Sequence, residues 1–102
     1  MVARVARFEG VNIAEAQRTM DEADSIIAPL VEGLQGYRGD LFLASQGGDV
    51  LSLSFFDSAE DAQAAEPTFD EEMPRALGDV FQGWEGRRVS VGVYEVVSDS
   101  RA

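Results

Sequence analysis

Leu41-Phe42-Leu43-Ala44-Ser45-Gln46-Gly47-Gly48-Asp49-Val50-Leu51-Ser52-Leu53-Ser54-Phe55-Phe56 is the stretch that decides the architecture. Two apolar runs flank Gln46-Gly47-Gly48-Asp49, and paired glycines supply the positive φ that a primed turn needs. The spacing predicts strands at 41–45 and 50–56 joined as a hairpin. Just beyond it, Ser58 with Asp61 three positions on has the form of a capping box. Ala62, Ala65, Phe69, Met73, Leu77, Val80 and Phe81 then continue as an apolar helical stripe through Gln82. Pro67 and Pro74 interrupt the stripe, each removing an amide donor, so this helix is expected in two or three pieces.

Working outward, Asn12 and Glu15 mark an earlier helix start. Ile13, Ala16, Met20, Ala23, Ile27, Leu30 and Leu34 recur at steps of three and four, with Arg18, Asp21, Glu22 and Ser25 on the other side. Pro29 is expected to kink this helix, which should end before Gly36. The ends of the chain, Val2 to Glu9 and Arg87 to Val97, read as strands. The order is therefore β-α-β-β-α-β, an α+β protein. Two strand–helix–strand halves joined by a hairpin give a four-stranded antiparallel sheet with both helices on one face, the ferredoxin-like plan. A single domain is expected over residues 1–97, with 98–102 a flexible tail. Leu51, Leu53, Phe55, Val89, Val91 and Val93 are expected to face the helices. Phe42, Ala44, Ser52, Ser54, Phe56, Ser90, Gly92, Tyr94 and Val96 would form the open face. Small and aromatic residues there suit a second sheet, so a homodimer through that face is predicted.

Composition limits the chemistry. The 102 residues carry 19 acidic and 8 basic side chains, all of the latter Arg, for a formal charge of −11. There is no Cys, His or Lys. Disulfides, thiolate or imidazole metal sites, Ser–His–Asp and Cys–His catalysis, lysine Schiff bases and the P-loop lysine are all excluded. An anionic surface repels phosphate backbones and anionic lipid, so neither nucleic acid nor membrane is an expected partner. No segment approaches the ~20 apolar residues of a membrane helix. The N-terminus lacks the continuous apolar run of a signal peptide, so a cytoplasmic location is expected. Asp21-Glu22-Ala23-Asp24 and Asp70-Glu71-Glu72 read as solvated charge, since helical neighbours cannot converge on one ion.

Four stretches resemble the dimeric α/β-barrel proteins related to antibiotic-biosynthesis monooxygenases. They are Ala3-Arg4-Val5-Ala6-Arg7-Phe8-Glu9-Gly10, Gly36-Tyr37-Arg38-Gly39, Leu53-Ser54-Phe55-Phe56-Asp57-Ser58-Ala59-Glu60-Asp61-Ala62 and Val93-Tyr94-Glu95-Val96. The resemblance implies two sheets pairing into a barrel, helices outside, and a pocket between helices and sheet in each subunit. It also implies either oxidation of phenolic substrates by dioxygen without a cofactor, or haem degradation. Phe56 stands where the family usually has Trp before its acidic-Ser pair. The chain offers no His for haem iron.

The candidate substrate pocket is lined by Phe69, Met73, Phe81 and Trp84 and closed from the sheet by Phe55. Large aromatics suit a flat phenol or quinone. If the proline breaks are real, Met73 and Phe81 should border a void. Tyr94 and Arg4 are the candidate catalytic pair, a guanidinium favouring the phenolate form. The plainer expectation for Arg4 is an ion pair with Glu95. No cofactor and no metal are expected. Three functions follow: a cofactor-independent oxygenase on a small aromatic substrate, a non-catalytic binder of a small hydrophobic ligand, or an acidic dimeric adaptor for a basic protein.

Overall fold

A computed structural model describes residues 1–101. It contains β1 (Val2–Glu9), α1 (Ile13–Val31), β2 (Tyr37–Ala44), β3 (Val50–Phe56), α2 (Ala59–Ala64), α3 (Met73–Trp84) and β4 (Arg87–Glu95). A π-helical turn, Thr68–Glu72, joins α2 to α3. The strands form one antiparallel sheet in the order β2-β3-β1-β4, and both crossovers lie over one face.

The local signals act as the residue types require. Asn12 accepts a hydrogen bond from the Glu15 amide (3.1 Å) at the start of α1, and Ser58 accepts one from the Asp61 amide (3.1 Å) at the start of α2. Pro29 falls in the last turn of α1, which ends at Val31. Pro67 sits just ahead of the π turn and Pro74 in the first turn of α3, where a missing amide costs nothing. Gly78 breaks α3 again with a non-helical backbone. The predicted second helix is thus several pieces.

The strand ends differ at two places. β2 begins at Tyr37, four residues earlier than the apolar run suggests. Its register shifts between Tyr37 and Asp40, around Gly39 at φ 98°. β4 stops at Glu95, with Val96 adding one amide bond to the Met1 carbonyl (3.0 Å).

Residues paired directly across antiparallel strands share a face. The register sets Asp40, Ser54, Arg4 and Val93 in one row and Phe42, Ser52, Ala6 and Val91 in the next. This row structure corrects the assignment of faces. Val91 and Val93 do lie on the helix side, and Ser90, Gly92 and Tyr94 on the open side. In β3 the expectation is inverted: Val50, Ser52, Ser54 and Phe56 face the helices, while Leu51, Leu53 and Phe55 face out. Phe42 also faces the helices. Val89 falls at a register shift that sets Arg88, not Val89, opposite Phe8. The cause is that β3 is apolar on its outer face and carries serines inside, the reverse of a simple half-buried strand.

The core is divided. One cluster gathers Val11, Ala16, Ala23, Val31, Val50, Met73, Leu77 and Trp84; a second gathers Val2, Phe56, Ala62 and Ala65. Arg4 and Ala6 come between them along β1. Phe56 is fully buried and meets Tyr37 and Phe69 edge-on at 5.8 and 6.3 Å. On the open face, residues Val96 to Arg101 fold across Leu41, Leu53 and Phe55, with the Arg101 guanidinium 5.2 Å from the Phe55 ring centre. Of the expected tail, residue 102 lies outside the described residues.

The hairpin turn depends on one glycine. Gly48 has φ 92°, and a β-carbon there would come to 3.1 Å from the Val11 carbonyl oxygen, whose neighbouring amide donates to the Gly48 carbonyl. Gly48→Ala is expected to destabilise the fold by about 1–3 kcal/mol, read as a lower urea midpoint at unchanged slope.

Candidate functional site

Between sheet and helices lies a cavity of about 400 Å³. The break in the second helical segment shapes it. Pro67 and the π turn bring Phe69 and Asp70 toward the sheet, while α3 packs chiefly against α1. Met73 and Phe81 border the void, as the broken helix implies, together with Phe69 and Trp84. Phe8, Phe42, Met20 and Ile27 complete the apolar wall.

Trp84 is the best-anchored wall residue. Its ring lies 5.3 Å from Phe81 and 5.8 Å from Phe42. Its indole Nε1 donates to the Thr19 hydroxyl (2.8 Å), which donates on to the Glu15 carbonyl (2.8 Å). Its own carbonyl accepts the Asn12 amide at 2.7 Å. A buried indole N–H needs such a partner, and the relay locks α3 to the first turns of α1.

The polar wall centres on Arg4, which is only 2% exposed. Its guanidinium lies over the Phe69 ring, 4.3 Å from the centre, with Glu66 Oε1 3.6 Å from Nε and Asp70 Oδ1 3.4 Å from Nη2. Both distances are long for charge-assisted bonds. Nε has no hydrogen-bond partner among the described residues. Burial lowers the Arg4 pKa more than Glu66 and Asp70 raise it, and a guanidinium still stays charged at neutral pH. Asp70 is held below the usual carboxylate range mainly by its 2.6 Å bond from Arg88. Ser52, Ser54, Asp40 and Asp24 also line the cavity. Asp40 accepts a hydrogen bond from the Tyr37 hydroxyl (2.5 Å), and burial with that bond pushes the Tyr37 pKa above its usual range.

Two candidate residues lie elsewhere. Phe55 is on the open face, under Arg101, because β3 is inverted relative to the expectation. Tyr94 is 62% exposed on that same face, its ring over Gly92. Arg4 and Tyr94 are therefore on opposite sides of the sheet and are not brought together. Nor does Arg4 pair with Glu95, which sits opposite Val2. Asp24 and Asp70, read from the sequence as solvated charge, border the cavity. Arg88 was not anticipated either, since period-two counting from Val91 and Val93 sends it outward. The register shift re-aims it, as bulges do. Among the described residues no cluster of three metal-ligating side chains occurs, and no helix is long and apolar enough to cross a membrane.

Neither a protein-family model nor a curated protein matches the sequence. Solved structures match its fold along nearly the whole chain. A dimeric ferredoxin-like protein from an uncultured marine organism covers 100% of both chains at 14% identity and a TM-score of 0.69. The fold is ferredoxin-like. The haem degrader MhuD from Mycobacterium tuberculosis, with two haems bound in its active site, is 21% identical, covering 99% of this chain and 100% of its own, at a TM-score of 0.66. SnoaB, a cofactor-independent oxygenase from Streptomyces nogalater, is 11% identical, covering 96% and 94%, at 0.63. All three share the fold of this chain.

Two outcomes test this geometry. Thr19→Val keeps the branched shape but strands the buried indole N–H, and is expected to cost about 1–3 kcal/mol with a shifted Trp84 emission. Asp70 adds stability at neutral pH that is lost as pH falls through its depressed folded pKa. Carbon-detected NMR titration of the carboxyl should give Asp70 a midpoint below the ordinary Asp value, rising toward it in Arg88→Gln.

Proposed function

We propose that this protein is a homodimeric oxygenase of the antibiotic-biosynthesis-monooxygenase type, oxidising a small phenolic aromatic with dioxygen and no cofactor. The observation that carries the reading is an aromatic-walled cavity with a buried, under-bonded guanidinium at its floor. A guanidinium beside a phenol lowers the phenol's pKa, and the phenolate is the electron-rich form that reacts with dioxygen. In the net reaction a ring CH2, or its phenolic tautomer, loses two hydrogens and gains one oxygen atom. The second oxygen leaves as water. Arg4 stabilises the anion; Phe42, Phe81 and Trp84 hold the ring and exclude water.

The MhuD likeness raises haem as an alternative ligand. The residues do not fit it. The chain has neither His nor Cys, and neither Tyr37 nor Tyr94 lines the cavity; Met20 and Met73 do, but a thioether ordinarily ligates haem iron opposite a His, which the chain lacks. The dimer reading rests on the marine protein's description as dimeric and on the open sheet face. There Leu41, Leu43 and Leu51 remain exposed beside Leu53, Phe55 and Tyr94. A cytoplasmic location belongs to the same reading.

One observation favours a second reading, a non-catalytic binder of hydrophobic molecules. Asp70, the carboxylate nearest the guanidiniums, is held ionised with a lowered pKa and is a poor general base. An oxygen electrode separates the two. With anthrol-type substrates the oxygenase reading expects oxygen uptake matched by quinone formation, with kcat/KM falling roughly 10–100-fold in Arg4→Gln. Quenching of Trp84 without oxygen uptake selects the binder, and neither signal sinks both. Native mass spectrometry should show twice the chain's mass; a monomer would overturn the dimer.

A further inference from the structure

We infer that the ligand of this cavity is bipolar: an aromatic carrying an oxyanion at one end, seated on Arg4, and a hydrogen-bond donor at the other, seated on Asp40. The inference deepens the aromatic-ligand reading above and rests on it. It starts from unequal bonding. Arg88 takes Asp70 at 2.6 Å, leaving Arg4 the long 3.4 Å contact to the same oxygen. Arg4 is thus a nearly fully buried cation with an unpartnered Nε, its plane fixed by Phe69 at 4.3 Å. Its carboxylate contacts, Glu66 at 3.6 Å and Asp70 at 3.4 Å, are both long, and an oxyanion in the cavity would give the guanidinium a closer partner.

The second pole comes from the register. Asp40, Ser54 and Arg4 lie directly opposite one another on three successive strands, and all three line the cavity. Two interstrand steps put the ends about 10 Å apart. One carboxylate, one hydroxyl and one guanidinium therefore form a polar track across an otherwise apolar floor. A fused aromatic with an oxyanion at one end and a hydrogen-bond donor at the other matches the order of these groups. Specificity follows from charge: Asp40 rejects a second anionic end, and Arg4 rejects a cationic one.

The test needs only the native protein and three probes, followed by Trp84 fluorescence, Trp84 being the sole tryptophan and part of the wall. The probes are 6-hydroxy-2-naphthoate, 2-naphthoate and 2-naphthol. The inference expects the hydroxy acid to bind roughly 10-fold or more tighter than either single-ended probe. Asp40→Ala, at an exposed position, should erase the hydroxy acid's advantage over 2-naphthoate. Equal affinities for all three probes would overturn the bipolar inference while leaving the aromatic cavity intact. Unchanged selectivity in Asp40→Ala would overturn the role of Asp40. No quenching by any probe would overturn the cavity reading along with the inference.

Discussion

A guanidinium taken out of water on the central strand governs the rest of this molecule. Arg4 sits in the middle of β1 at 2% exposure, and removing such a cation from water costs several kcal/mol even after relaxation. The groups that offset the cost are Glu66, Phe69 and Asp70. All three lie within five residues of one another, around the point where Pro67 stops α2. Spaced i, i+3 and i+4, these residues present one face of the turn to the central strand. The cavity is what remains where the pieces do not lie flush.

Apolar burial is accordingly shared between the two ends. Phe56 with Val2, Ala62 and Ala65 closes one end of the sheet; Val50, Leu77 and Trp84 close the other, with α1 between them and solvent. The second end is also tied through backbone. Val11 donates to Gly48, Asn12 donates to Trp84, and Thr19 takes the indole proton. The start of α1, the hairpin tip and the end of α3 therefore meet in one hydrogen-bonded knot. With both ends held, the middle can stay open without loosening the fold.

Much of this was legible in the sequence. The glycine pair in the hairpin, the Asn12 and Ser58 caps, and the two prolines that break the second helix each act through the residue's own backbone chemistry, and each appears where expected. Phe69, Met73, Phe81 and Trp84 meet at one wall, as their apolar stripe suggested, although the π turn and Gly78 break the helix between them. What was not legible depends on partners. In β3 both alternating sets contain bulky residues, so polarity pointed to the wrong face: Ser52 and Ser54 turn inward because a cavity, not a packed core, receives them. Phe55 went to the other side for the same reason, while Tyr94 sits on the open face where alternation put it, away from Arg4. Arg88 and Asp70 could not be found by counting, since one is aimed by a register shift and the other by a π turn.

That π turn also changes how the chain keeps angular time. In an α-helix each residue advances the side-chain direction by about 100°, so five residues closing a turn instead of the usual count rotate everything downstream by roughly one such step. Ala62 and Ala65 are phased to lie under Phe56, while Met73, Leu77 and Trp84 are phased to meet α1. A uniform helix would satisfy only one of these appointments. The segment Thr68–Glu72 works as a phase shifter. It lets a single crossover serve two surfaces oriented differently, and it frees the azimuth of the cavity wall to drift from that of the structural end during divergence.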